Sequence, residues 1–187
     1  MNIQALTDKL AMSGLSLLRG EPPLTTCPAE AASQASACGP EHGRVDEVID
    51  LKRPDALRDV NAAWYRLATR FGLFGEQGEF LLFANLGDGD DDIDFRWLQV
   101  KIQDSWNMAG STEGTINGPA FDGLLTMSPQ GGVIIEGTTY QGDMASVLAV
   151  PNPHRALPIR RYAESIMRSG KLQPGEVASI GAWLDRG

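Results

Sequence analysis

Between Glu79 and Pro151 the chain offers five strand-type runs in succession with no helical period among them: EFLLFANL (79–86), FRWLQVKIQD (95–104), LLTMS (124–128), GVIIEGTTY (132–140) and SVLAVP (146–151). Strands that follow one another without helical crossovers pair antiparallel, because a parallel neighbour requires a long connection that is usually a helix. In the second run Leu98, Val100 and Ile102 fall on one face and Trp97, Gln99 and Lys101 on the other, the alternation of a half-buried strand. The first two runs are expected to form a hairpin with a long loop, and PQGG (129–132) is a natural turn between the third and fourth.

Helical spacing lies outside this block. Ile3, Leu6 and Leu10 recur at helical intervals until Gly14, after which LSLL (15–18) either continues the helix or begins a strand. Pro54 suits a first helical position. Leu57, Val60, Trp64, Leu67 and Phe71 then form an apolar stripe, with Arg58, Asp59, Arg66 and Arg70 facing away. Pro158 opens a helix with Ile159, Tyr162, Ile166 and Met167 inward, Gly170 stops it, and Pro174 opens another that carries Val177, Ile180 and Leu184. The fold class expected is α+β: an antiparallel sheet of about five strands packed with three to four helices.

Residues 20–43, GEPPLTTCPAEAASQASACGPEHG, are rich in Pro, Ala, Ser and Gly and nearly devoid of large apolar side chains. Such a stretch gains little from burial against the entropy of ordering it, so it reads as a flexible N-terminal arm. The organisation expected is residues 1–43 as a helical element with its arm, and 44–187 as one α+β domain. No run approaches the ~18 apolar residues that a membrane span requires, and the opening MNIQALTDKLAMSG lacks a basic start followed by a continuous apolar stretch, so a cytoplasmic location and no membrane partner are expected.

Charge narrows the function. The net charge is −8, and residues 76–104 carry eight acidic side chains against Arg96 and Lys101. That balance argues against direct nucleic-acid binding, whose affinity comes from neutralising phosphates with Lys and Arg. It favours a basic protein surface as partner. GDGDDDID (87–94) concentrates Asp88, Asp90, Asp91, Asp92 and Asp94 in eight residues. With Trp97 as apolar anchor, these form the expected docking site of an acidic binding or inhibitor protein, its partner a nucleic-acid-handling enzyme.

A metal-dependent reading uses the same residues. Asp88, Asp90 and Asp92 match positions one, three and five of the EF-hand loop, but Ile93 stands where that loop requires Gly and Gln99 where it requires a bidentate Glu. The stretch GDGDDDIDFRWLQVK also resembles nucleases of the PD-(D/E)XK superfamily. The resemblance implies Mg²⁺ held by Asp88 or Asp94, with Lys101 orienting the attacking water. Gln99 departs from the acidic residue of that motif, which weakens metal binding. The alternative is therefore a divalent-metal phosphodiesterase with Asp88, Asp90, Asp92, Asp94 and Lys101 as its site and Mg²⁺ or Ca²⁺ as cofactor; the first reading needs none.

Other motifs are incomplete. Cys27, Cys38 and His42 lack the close CxxC pair of structural zinc, so free thiols in a loose arm are expected. The chain contains neither GxSxG nor HExxH, and AGSTEGTING (109–118) lacks the GK[ST] ending of a phosphate loop. Arg160 and Arg161 fall in the first turn of a helix, where the macrodipole disfavours cations. With Arg155 they form a candidate anion-binding group.

Overall fold

The computed structural model describes residues 3–19, 27–85, 95–109, 124–140 and 143–186. In chain order the elements are α1 (Ile3–Met12), β1 (Leu15–Arg19), α2 (Ala29–Ala32) running into a 3-10 turn (Ser33–Ala37), a second 3-10 turn (Pro40–His42), β2 (Val45–Asp50), α3 (Ala56–Phe71), β3 (Glu79–Asn85), β4 (Phe95–Ile102), β5 (Leu125–Met127), β6 (Val133–Tyr140), β7 (Met144–Pro151), α4 (Leu157–Arg168) and α5 (Pro174–Leu184). All seven strands join one antiparallel sheet in the order β1-β4-β3-β5-β6-β7-β2.

The α+β class is as expected, and the five strand-type runs are the five inner strands. Among the described residues the sheet has seven strands rather than about five, and five helices stand where three to four were expected. Both added strands are edges. LSLL resolves as strand β1, which pairs with β4 from Leu15↔Ile102 onward. β2, VDEVID, pairs with β7 from Val45↔Ala149 to Asp50↔Met144; its acidic residues obscure the pattern by which strands are recognised.

Helices cover both faces of the sheet. On the first face α1 and α3 bury Leu6, Leu10, Val60, Trp64 and Leu67 against Phe80, Leu82, Leu98, Val100, Ile135 and Val147. Trp64 is fully buried, with ring centroids 5.7 Å from Phe74, 5.7 Å from Phe80 and 5.4 Å from Trp106. On the second face α4, α5 and residues 27–38 cover Leu81, Trp97, Leu125, Met127, Ile134, Leu148 and Val150. Alternate residues of the inner strands therefore enter opposite cores, which explains why Val133, Ile134 and Ile135 of β6 and Val147 to Val150 of β7 read as unbroken apolar runs.

The described part of the supposed flexible arm belongs to this second core. Cys27, Ala31, Ala32 and Ala35 are fully buried and Cys38 nearly so. Small side chains contribute little apolar area each, but they let the backbone lie close to the sheet and to α4. Arg44 fastens the segment, donating through Nη1 to the carbonyls of Ser36 at 2.6 Å and Cys38 at 3.0 Å. Residues 20–26 lie outside the described part. In α4 Ile159 and Ala163 are buried and Ile166 and Met167 pack against the same core, as expected, whereas Tyr162 is exposed. Among the described residues, no helix is long and apolar enough to cross a membrane.

Candidate functional site

Asp88, Asp90, Asp91, Asp92 and Asp94 lie outside the described residues; their attachment does not. The β3–β4 ladder runs without a break from Glu79↔Lys101 to Asn85↔Phe95, so in sequence the aspartates fall between the two residues of that last pair. Trp97 is no part of an exposed docking face. It is 4% exposed, its ring centroid lies 5.5 Å from that of Phe83, and its indole N–H donates to the Cys27 carbonyl at 3.0 Å.

Lys101 is at the other end of the hairpin, opposite Glu79 on β3 and Ser16 on β1. Six residues of extended chain, about 20 Å, separate it from Phe95, where the described part of β4 begins. The Gly-rich stretch 110–118 lies outside the described residues.

Of the candidate anion group, Arg160 is engaged within the fold. Arg160 Nε bonds Glu164 Oε1 at 2.9 Å and Nη1 donates to the Leu184 carbonyl at 3.1 Å. A cation misplaced at the start of α4 is thus well placed at the end of α5, where unpaired carbonyls carry the negative end of the dipole. Arg155 and Arg161 are exposed. His154 is 7% exposed with Nε2 lacking a hydrogen-bond partner. Burial first, then Arg155, Arg186 and Arg160, lower its pKa, so it stays neutral.

Cys27 and Cys38 are both free. His42 turns its Nδ1 toward the Gly39 N–H at 3.2 Å, and no group of three His, Cys, Asp or Glu side chains suited to a metal occurs among the described residues. A cleft of about 390 Å³ beside β2 is lined by Glu47, Asp50, Arg53, Asp59 and Arg66. Its charges engage one another, Arg53 with Asp59 at 3.1 Å and Arg66 with Glu47.

The chemically distinctive cluster lies under residues 36–44. Glu136 of β6 projects into the second face between Leu125 of β5 and Leu148 of β7. Its carboxyl accepts the Ser36 backbone N–H, but Oε2 is buried without a partner, as is Thr138 Oγ1 two residues along the same face. Burial pushes the Glu136 pKa from 4.5 up to about 7, against the opposing pull of the Ser36 N–H and Arg44. Arg44 itself is fixed on Asp46, Nε to Oδ2 at 2.8 Å and Nη2 to Oδ1 at 2.6 Å. Ser146 also donates to Asp46 Oδ1, at 3.0 Å.

Beside this carboxyl, the Cys38 thiol has a raised pKa, chiefly from burial, with Arg44 lowering it, Glu136 and Glu41 raising it, and the Ile159 N–H of α4 lowering it. It is therefore a neutral thiol rather than an activated nucleophile. The cluster's chemical capacity is to hold or release a proton on Glu136. Sequence reasoning missed it, although one signal was present: β6 is apolar on both faces around a single carboxylate. Comparison with known proteins finds no matching family model, no similar curated protein and no similar solved structure.

Proposed function

We propose that this is a binding protein of the inhibitor type, which offers the aspartate connection of the β3–β4 hairpin to a basic surface on another macromolecule. The partner class that suits its charge is a nucleic-acid-handling enzyme, because such enzymes carry the cationic surfaces that an acidic loop complements. The observation that supports this reading is the register. The paired strands reach Asn85↔Phe95, and five aspartates follow within the nine residues 86–94. A dense charge anchored at the end of a covered sheet raises the association rate and selects the partner. Since Trp97 is buried, apolar contact must come from elsewhere. The competing reading is a divalent-metal phosphodiesterase in which the same aspartates hold the metal.

The test is capture from cell extract on the immobilised protein, beside the variant with Asp90→Asn, Asp91→Asn and Asp92→Asn. A partner retained by the wild type at low salt, released at high salt and not retained by the equally folded variant is the expected result, since exposed charges are screened beyond ~8–10 Å at physiological ionic strength. Equal retention of that partner by the variant would overturn the proposal.

A further inference from the structure

We infer that residues 27–43 form a proton-controlled strap, which lies on the sheet while Glu136 is protonated and lifts when that carboxyl ionises. The inference is independent of the aspartate connection.

What disfavours a carboxylate beneath the strap is the burial of an oxygen that no donor reaches. The Ser36 N–H is the donor to Glu136, while Oε2 and the neighbouring Thr138 Oγ1 are buried without partners. The cation beside it, Arg44, is already distributed over both Asp46 oxygens and the carbonyls of Ser36 and Cys38. The other groups brought to this layer do not help. Asp46 of β2 and Glu41 of the strap are acidic, Cys38 is a neutral thiol, and Ser146 of β7 donates to Asp46. Leu125 comes from β5. From α4 come Ile159 and Ala163, whereas its Arg160 and Arg168 both engage Glu164. An ionised Glu136 under the closed strap keeps one oxygen buried without a donor, offset only by the Ser36 N–H and the charge of Arg44, a costly state that lifting relieves by readmitting water.

The strap is also held in a way that makes lifting feasible. Its buried side chains are Cys27, Ala31, Ala32, Ala35 and Cys38, each with less apolar area than a Leu or Ile, so its own apolar burial is small for its length. The bonds that lifting must open are few: Arg44 to the Ser36 and Cys38 carbonyls and Trp97 to the Cys27 carbonyl. The sign of the pH dependence follows from the carboxyl's two environments. Glu136 titrates at about 7 when covered and near the ordinary carboxylate value when lifted. Its contribution to the closed strap is fully present below about pH 4.5, declines as pH rises, and is gone once pH passes about 7.

The strap carries both cysteines of the chain, so thiol trapping reads lifting directly. The experiment follows the reaction of the full chain with dithiodipyridine from pH 5 to 8, each rate divided by that of the urea-unfolded chain at the same pH, with tryptophan fluorescence tracking the global fold. Variants Cys27→Ser and Cys38→Ser separate the two thiols. The expected result is a normalised rate that climbs by up to about tenfold per pH unit and levels off past neutrality, with no change in global fold. In Glu136→Gln it is slow and flat. Parallel profiles for wild type and Glu136→Gln, or trapping only at the rate of global unfolding, would overturn the inference. Should Glu136→Gln not fold, carboxyl ¹³C titration of the wild type decides. A midpoint near 7 shared with the trapping profile supports the strap, and an ordinary carboxylate midpoint refutes it.

Discussion

The indole N–H of Trp97 and the carbonyl oxygen of Cys27 meet at 3.0 Å, joining residues 70 positions apart. The bond ties the start of the strap to β4, in the middle of the second core. Trp97→Phe leaves the carbonyl buried and unsatisfied, and should lower stability by about 1–3 kcal/mol in urea unfolding. An unchanged midpoint would show that the bond contributes nothing to the fold.

Asn61 of α3 performs the equivalent task on the other face. Its Oδ1 accepts the N–H groups of Met108 at 2.8 Å and Ala109 at 2.9 Å, and its Nδ2 donates to Asn107 at 2.7 Å. Asn61→Ala strips two backbone donors of their acceptor at once. A loss of about 2 kcal/mol or more is expected from chemical denaturation, together with faster amide exchange at residues 108 and 109.

Gly14 sits at φ +71°, and a Cβ there would fall 2.0 Å from the Ser105 carbonyl oxygen and 2.5 Å from the Trp106 Cα. Both obstacles are backbone, so a side-chain rotation cannot relieve them. Gly14→Ala should cost about 3 kcal/mol or more, read as a fall in thermal midpoint. A variant as stable as the wild type would mean that the junction between α1 and residues 105–106 is looser than described.

Glu136 gives global stability a pH dependence as well. Its covered pKa of about 7 stands above the ordinary 4.5, so its contribution favours the folded chain most in acid and is lost as pH rises through neutrality. Relative to Glu136→Gln, the wild type should lose on the order of 3 kcal/mol between pH 4.5 and 7.5, measured by urea unfolding at several pH values. Parallel curves for the two proteins would place Glu136 in contact with water.

If the aspartates serve a partner rather than a metal, the EDTA-stripped protein should unfold at one temperature whether or not Mg²⁺, Mn²⁺ or Ca²⁺ is added. The triple Asn variant should match or exceed the wild type because repulsion is relieved. A native-state ligand at ~100 times its Kd adds about 2.7 kcal/mol, so a saturable rise that is absent from the variant would assign the residues to a metal instead.

The inner strands were legible because their alternation is strong: Leu98, Val100 and Ile102 against Trp97, Gln99 and Lys101 could be placed on opposite faces from the letters alone. What the letters did not carry was that both faces are covered. Trp97 was therefore assigned to a docking surface when its side was a second core, and β2 went unrecognised because Asp46 and Glu47 sit where a half-buried strand would alternate. The strap was illegible for a different reason. Composition weighs apolar area per residue and is blind to the close backbone approach that Ala31, Ala32 and Ala35 permit. The Glu136 cluster draws on the strap, β2, β6 and β7, so no local pattern contained it, and Arg160 became intelligible only with the end of α5 beside it.

The edge strands impose an order in time. Leu15 of β1 pairs with Ile102, and Val45 of β2 with Ala149, so each strand is synthesised long before the partner that completes it. At ~5–20 residues per second, β2 waits about 5–20 s for β7 to leave the ribosome. An unpaired strand in a crowded cell is a template for the wrong neighbour. Asp46, Glu47 and Asp50, three carboxylates in six residues of β2, give the nascent segment a charge that repels its own copies on adjacent ribosomes. The residues that conceal β2 as a strand are those that let it wait.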